Sequence, residues 1–229
     1  MSTDFVEGAI LLINKPLTWT SFNVVKKIEI VLRKHYGLKK IKVGHAGTLD
    51  PLASGLLIVC TGKATKQVQF IQDQEKEYIA GMLIGKTTPS FDLETEYNQN
   101  YPTQHITKEL VEKVIQTFIG ESDQIPPVYS AKLYEGKRAY EYARKGQNID
   151  LKSNKINISV LEVIAYEFPI VTLRIRCSKG TYIRSLLRDI GTCLESGACM
   201  ISLERTAIGH YTLNNAITLE EFENKLALL

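Results

Sequence analysis

Short apolar runs recur along the 229-residue chain and alternate irregularly with segments whose apolar residues are spaced as on one face of a helix. The last of these runs alternates apolar and polar residues, which is the period of a half-buried strand. The predicted strands cover residues 9–13, 55–60, 77–84, 156–163 and 171–177. Because no regular strand–helix–strand rhythm appears, we expect an α+β fold around a mixed, largely antiparallel sheet.

Capping residues mark the predicted helices. A hydroxyl residue just before an apolar, helically spaced run is typical of a helix start, and a glutamate three residues later completes a capping box. The predicted helices begin at Thr20 or Ser21, at Thr107 and at Thr218 (boxed with Glu221), and two more cover residues 136–145 and 181–194.

Composition excludes several classes of protein. Hydrophobic residues make up 44% of the chain, enough for a buried core, but they form no run of 18 that could span a membrane. The amino-terminal residues are polar and acidic, unlike a signal peptide, so we expect a cytoplasmic protein. The four cysteines form no C-x-x-C pair and join no histidine cluster, which favours free thiols over a zinc site.

The charge distribution is more informative than the net charge of +3. Residues 1–70 carry ten Lys/Arg against four Asp/Glu, and residues 126–188 carry twelve against five. Between them, residues 91–125 carry two against seven. This pattern indicates either a basic face for a polyanion such as nucleic acid, or a solvated surface on which charges cluster by chance.

One glycine-rich segment, residues 44–55, carries the sharpest chemical signal and is called here the Asp50 loop. Its glycines allow sharp turns and close approach to a ligand, and Pro51 restricts the backbone of the preceding Asp50. Both properties suit a positioned nucleophile. The residues alone favour a different interpretation, an Asx-turn, in which the carboxylate of Asp50 only stabilises the loop.

The sequence of this loop, G-H-A-G-T-L-D-P-L-A-S-G, resembles the catalytic loop of the tRNA pseudouridine synthase B family. Further blocks occur in the order typical of that family and extend the resemblance from residue 9 to about residue 212. They are Leu12-Ile13-Asn14-Lys15-Pro16 with Thr20-Ser21, Gly62-Lys63-Ala64-Thr65-Lys66, Lys76-Glu77-Tyr78, Ile125-Pro126-Pro127-x-Tyr129-Ser130-Ala131, Tyr140-Glu141-x-Ala143-Arg144-x-Gly146, Cys177-Ser178-Lys179-Gly180-Thr181-Tyr182-Ile183-Arg184 and Leu203-x-Arg205-Thr206.

Three features depart from the family pattern. Pro89 stands where an acid is common, which leaves Asp92 as the one acid of its turn, and Glu204 stands where a basic residue is usual. We expect both positions to be peripheral to the Asp50 loop. Many family members also carry a further carboxy-terminal RNA-binding module, and we expect this chain to be a short form without it.

The resemblance implies a single pseudouridine synthase catalytic domain over residues 1–229, whose sheet carries a central cleft flanked by helices. The implied reaction is the isomerisation of uridine 55 in the T arm of tRNA to pseudouridine, by base flipping. The T-arm stem-loop is the implied partner. No cofactor, metal, membrane or protein partner is implied, and we expect a monomer.

The resemblance also assigns roles to individual residues. Asp50 is the catalytic carboxylate, which adds either to the base or to the sugar, and Arg184 pairs with it. Tyr78 stacks on the flipped uracil, Tyr182 lies against base or ribose, and Leu203 forms an apolar wall. The remaining implied contacts are those of His45, which fills the place of the extruded base, and of Lys15, Lys66 and Lys179, which bind RNA phosphates.

Two functions from other classes compete with this one. An RNA-binding protein without catalysis would need no carboxylate in such a loop, and release of tritium from 5-tritiated uridine would distinguish it from an enzyme. A glycoside hydrolase would also act at a sugar C1′, but these enzymes usually need two carboxylates, and only Asp50 has a matching context.

Overall fold

The computed structural model describes residues 4–147 and 149–228. Its helices are α1 (Ser21–His35), α2 (Val68–Asp73), α3 (Lys108–Gln116), α4 (Ala139–Ala143), α5 (Ile183–Cys193) and α6 (Leu219–Ala227). Its strands are β1 (Ile10–Lys15), β2 (Val43–His45), β3 (Ser54–Thr61), β4 (Lys76–Ile84), β5 (Lys86–Thr87), β6 (Gln99–Asn100), β7 (Gly120–Gln124), β8 (Leu133–Tyr134), β9 (Lys137–Arg138), β10 (Asn154–Glu167), β11 (Ile170–Cys177), β12 (Ala198–Ile208) and β13 (Tyr211–Thr212).

The main sheet is mixed and mostly antiparallel, as predicted. Its strands follow the order β1-β3-β12-β4-β11-β10-β7, with β2 beside β3 and β13 beside β12. The pair β3–β12 is parallel, whereas β1–β3, β2–β3, β10–β11 and β7–β10 are antiparallel. The fold class expected from the sequence is therefore confirmed.

The chain divides into two compact units, a first unit of residues 1–78 and 203–229 and a second unit of residues 79–202. This division does not test the prediction of a single catalytic domain over residues 1–229, which stays a prediction. The predicted central cleft flanked by helices likewise stays a prediction.

Strand β3 is the centre of the first unit and is buried on both faces. One face packs with β1 against α1 and α6, and the other against α2. A strand covered on both sides needs an uninterrupted apolar run, which explains the sequence Leu56-Leu57-Ile58-Val59-Cys60. Thr20 caps α1 by accepting a hydrogen bond from the Asn23 N–H, which confirms the predicted helix start.

In the second unit, β11 shows the predicted alternation, with Val171, Leu173 and Ile175 fully buried. One prediction here is partly wrong. The segment predicted as a basic helix, residues 136–145, begins with the hairpin β8–β9, and only Ala139–Ala143 is helical. Glu135 and Gly136 both have positive φ, as a two-residue hairpin turn requires.

Candidate functional site

The Asp50 loop connects β2 to β3 in the first unit. Its ends belong to the strands, and residues 46–53 form the connection. The side chain of Asp50 is half-buried, and the Ala53 N–H donates to the Asp50 carbonyl over 3.1 Å to close a turn. The predicted nucleophile therefore lies at the turn of a loop whose two ends are fixed in the sheet.

The start of α1 and the segment before it hold the backbone on both sides of Asp50. On one side, the buried Ser21 hydroxyl accepts from the Leu49 N–H over 2.8 Å and donates to the Leu49 carbonyl over 3.2 Å. On the other side, the Thr18 N–H donates to the Pro51 carbonyl over 2.8 Å. Both neighbours of Asp50 are thus bound by residues outside the loop, which limits the positions open to its carboxylate.

Lys15 contributes to the same arrangement from the end of β1. Its side chain is fully buried, and its Nζ donates to the carbonyls of Trp19 at 2.6 Å, Pro16 at 3.0 Å and Pro51 at 3.5 Å. Burial lowers the pKa of Lys15 to about 8, against an opposing effect of the Asp50 carboxylate and with a further lowering by the Arg205 cation. The structure therefore gives Lys15 a loop-holding position, and its contact with an RNA phosphate stays a prediction.

Arg205, on β12, holds the loop from a distant part of the sequence. Its side chain is buried, and its guanidinium donates to the carbonyls of Leu56 at 2.8 Å, Gly47 at 3.0 Å and Thr48 at 3.5 Å. Sequence reasoning gave Arg205 no role. The available signal was the block Leu203-x-Arg205-Thr206, but nothing local to it shows that it reaches residues more than 140 positions away.

His45 lies at the start of the Asp50 loop and is half-buried. Burial lowers its pKa below the ordinary value for histidine, and the nearby Arg205 cation lowers the pKa further, whereas a hydrogen bond with the Gly47 backbone acts in the opposite direction. Its Nδ1 atom is buried and has no hydrogen-bond partner among the described residues. The lowered pKa favours the neutral ring, and the place of His45 among stacked bases stays a prediction.

The other predicted residues of the first unit lie on strands or beside them. Tyr78, on β4, is 8% exposed, and Leu203, on β12, is 7% exposed. Lys66 follows β3 and is exposed, as a contact with an RNA phosphate requires. These placements are compatible with the roles that the resemblance implies, and the roles themselves stay predictions.

In the second unit, Arg184 lies in the first turn of α5 and is only 3% exposed. Its Nε lies 3.6 Å from Oδ2 of the buried Asp92, and its Nη1 donates to the carbonyls of Tyr129 at 2.9 Å and Ser90 at 3.3 Å. Asp92, the one acid of its turn, is thus buried beside a predicted site residue. The pairing of Arg184 with Asp50 stays a prediction.

Tyr182 is the residue just before α5 and is half-buried. Gln124 fixes its backbone, since the Tyr182 N–H donates to Oε1 over 2.8 Å and the Tyr182 carbonyl accepts from Nε2 over 3.1 Å. Lys179, three residues earlier, is exposed. Two predicted site residues, Tyr182 and Arg184, thus lie at the start of α5, where hydrogen bonds to Gln124 fix the backbone of Tyr182.

The described part of the chain offers neither a metal centre nor a membrane-spanning helix. Residues 4–147 and 149–228 contain no group of three or more His, Cys, Asp or Glu side chains able to hold a metal ion. No helix within the same ranges is long and apolar enough to cross a membrane.

Comparison with solved structures identifies the class of fold. The chain superposes on Cbf5 in the crystal structure of a Cbf5–Nop10–Gar1 complex with a TM-score of 0.71 and 29% identity, over 96% of this chain and 54% of that chain. A structure of an H/ACA RNP bound to a substrate RNA containing 2′-deoxyuridine matches with a TM-score of 0.68 and 28% identity, over 96% and 54% of the two chains. The fold is that of pseudouridine synthases.

The family follows from sequence comparison. The family described as "TruB family pseudouridylate synthase (N terminal domain)" matches residues 33–183, and "tRNA pseudouridylate synthase B C-terminal domain" matches residues 184–229. Proteins named tRNA pseudouridine synthase B from Parabacteroides distasonis and Flavobacterium johnsoniae are 57% and 49% identical to this chain. Each alignment covers 97% of this chain, with 95% and 98% of those proteins.

This chain belongs to the TruB family of pseudouridylate synthases and is therefore an isomerase. The family resemblance drawn from the motifs of the sequence is confirmed.

Proposed function

We propose that this protein converts uridine 55 in the T arm of tRNA to pseudouridine, with Asp50 as its catalytic carboxylate. The observation that carries this proposal is the anchoring of Asp50, whose two neighbours are both bound by residues outside the loop. Anchoring of this kind suits a group that must meet one atom of a substrate, because misplacement of about 1 Å can cost about a hundredfold in rate. The names of the related proteins support tRNA as the substrate.

The reaction is an isomerisation that breaks the bond from ribose C1′ to uracil N1 and joins C1′ to C5 of the rotated base. A proton leaves C5 and N1 gains one, so no redox partner is needed. The carboxylate of Asp50 adds either to the base or to the sugar and is released when the new bond has formed. We assign no cofactor and no metal to this chemistry.

The target uridine must leave its stack before it can react, which costs a few kcal/mol. In this proposal the neutral ring of His45 fills the vacated place and so lowers that cost. Tyr78 stacks on the flipped uracil, Leu203 forms an apolar wall, and Tyr182 lies against the base or ribose. Arg184 is the cation that supports the ionised carboxylate.

Exposed lysines hold the RNA backbone without reading its sequence. We assign Lys66 and Lys179 to this role because both are exposed. The phosphate contact of Lys15 stays a third proposal, and this contact would have to form beside the three carbonyls of the protein that bind its ammonium. We further propose that the protein acts in the cytoplasm as a monomer.

The test is mass-based mapping of pseudouridine in tRNA treated with the purified protein and with Asp50→Asn. This substitution keeps the size of the side chain and removes its charge. It should abolish product while tRNA binding, measured by filter retention, stays within about tenfold, or 1.4 kcal/mol. Circular dichroism establishes that the variant is folded. Tight binding without product from the wild-type protein would instead support an RNA-binding protein without catalysis.

A further inference from the structure

Arg205 connects the two ends of the Asp50 loop through one side chain. Two of its nitrogens reach the start of the loop at the carbonyls of Gly47 and Thr48, and a third reaches Leu56, just after the end of the loop. The residues between these contacts include Asp50. A side chain that binds both ends in this way acts as a strut across the base of the loop.

The backbone of Arg205 is also held against the loop. Arg205 pairs in parallel register with Gly55, whose φ is +99°. A Cβ atom at Gly55 would lie 2.4 Å from the carbonyl oxygen of Arg205 and 2.7 Å from the backbone nitrogen of Arg205. Both distances are shorter than the contacts that real Cβ atoms make. Glycine at residue 55 therefore allows the direct approach of β12, and this contact fixes the point from which the Arg205 side chain starts.

The three acceptors require the chemistry of arginine. A guanidinium is a planar fork with five N–H groups in fixed directions, whereas the ammonium of lysine is a compact charge on a flexible stem. Carbonyls spread over three residues can be bound together by the fork, but a lysine at the same position could reach only part of the set. The three bonds also offset part of the cost of burying a charge.

We propose that Arg205 is a positioning residue for catalysis, which fixes the base of the Asp50 loop and so sets where the Asp50 carboxylate stands. This inference rests on the proposed role of Asp50. It adds a residue that touches neither substrate nor reacting atoms and acts on the rate through the geometry of the loop.

The test compares Arg205→Lys and Arg205→Met with Arg33→Met, a control at a half-buried arginine of α1 that contacts Glu29 and the Leu38 carbonyl, each at 3.5 Å. Single-turnover rates and tRNA dissociation constants are measured for each folded variant. Arg205→Lys keeps the charge and loses the fork, and it should lower the rate by about a hundredfold. Its dissociation constant for tRNA should stay within about threefold of wild type, because docking does not depend on the strut.

Amide hydrogen exchange supplies a readout that does not depend on activity. The N–H groups of Leu49 and Ala53 are bonded within the anchored loop. Both should exchange faster in Arg205→Lys than in Arg33→Met, while amides of α6 stay unchanged. If Arg205→Met does not fold, Arg205→Lys alone carries the test.

A wild-type rate in Arg205→Lys would overturn the proposal. A parallel loss of rate and tRNA affinity would overturn it too, because Arg205 would then serve docking or the fold in general. Absence of product from the wild-type protein would refute the proposed function instead, and unchanged exchange at Leu49 and Ala53 would still refute the strut independently.

Discussion

At the scale of single residues, the charges around Asp50 are arranged unusually, since two buried cations lie close to one half-buried carboxylate. The Arg205 cation disfavours the charge of Lys15, whereas the Asp50 carboxylate favours it. The arrangement is tolerated because backbone carbonyls bind both cations. Burying these charges lowers the stability of the fold. For Lys15, this loss can be measured as a dependence of the free energy of unfolding on pH.

We predict that the free energy of unfolding of the wild-type protein, relative to Lys15→Met, increases with pH between about 8 and 10.5. In this window the folded protein has lost the Lys15 proton, because its pKa is lowered to about 8, while the unfolded chain still binds one. The unfolded state then binds more protons, so the slope is positive and at most about 1.4 kcal/mol per pH unit. Urea unfolding at a series of pH values measures it, and a flat or negative difference would contradict the lowered pKa.

A second prediction concerns Asp92. Asp92→Asn keeps the shape of the side chain but removes the negative charge 3.6 Å from the buried Arg184 guanidinium. Breaking a buried pair from one side should destabilise the fold by about 3 kcal/mol. The control is Glu94→Gln, two residues away, whose exposed pair with Arg144 at 3.3 Å should contribute about 1 kcal/mol or less. Urea unfolding measures the free energy of unfolding of both variants. Equal decreases in the two would mean that the Asp92 charge stabilises the fold no more than an exposed ion pair does.

At the scale of elements, α1 links helix formation to the Asp50 loop, because its N-cap Thr20 and its first residue Ser21 bind different groups. Thr20 caps the helix, whereas Ser21 binds both polar backbone groups of Leu49. The first task supports the helix and the second supports the loop. Substitutions at these neighbouring residues can therefore separate stability from catalysis.

We predict that Thr20→Ala lowers the free energy of unfolding by about 1 kcal/mol through the lost cap, with little effect on turnover. Ser21→Ala should cost about 1–3 kcal/mol, because it leaves buried groups of Leu49 without partners, and it should also lower turnover at least tenfold, roughly the effect of a small displacement of Asp50. Thermal unfolding and single-turnover assays measure the two effects. Turnover that falls equally in both variants would count against a specific role for Ser21.

The sequence predicts elements well where the signal is local. The cap at Thr20, the box at Thr218 and the alternation along β11 all correspond to observed elements. The strand β12 was missed, because its partners β3 and β4 lie far away in the chain and strand formation depends on packing against them.

The same distinction between local signals and contacts over long stretches of sequence applies to the candidate site. The glycines around Asp50 are visible in the sequence, since they restrict or free the local backbone. The residues that support the loop are not visible in the sequence. Ser21 lies 28 residues, and Arg205 lies 149 to 158 residues, from the groups near Asp50 that they bind.

At the scale of the whole molecule, several lysines of the first basic segment lie exposed on the surface of the first unit. In the first unit, Lys40, Lys42, Lys63 and Lys66 line a groove of about 410 Å³. Lys63 is paired with Glu7 at 2.5 Å, and the other three have no ion pair within 4.0 Å in the described residues. A groove with this charge suits the phosphates of an RNA backbone.

We predict that tRNA affinity falls log-linearly with salt, with a slope of about 0.7 to 0.9 per phosphate neutralised. Lys66→Gln should reduce this slope by the amount that belongs to about one phosphate contact. Lys108→Gln is the control, at a lysine of α3 that lies 3.7 Å from Glu112, and it should leave the slope unchanged. Filter binding at several salt concentrations measures both slopes. Identical slopes for Lys66→Gln and the wild-type protein would remove Lys66 from the RNA contacts.

The hydrogen bonds of Arg205 have a consequence for the order in which the protein matures. Synthesis from the amino end produces Asp50, Ser21 and Lys15 early, whereas Arg205 is produced late. Until then, the carbonyls of Gly47, Thr48 and Leu56 lack their donor. A nascent chain thus carries Asp50 long before it carries Arg205, and a premature stop before Arg205 would yield a chain whose Asp50 loop lacks this support.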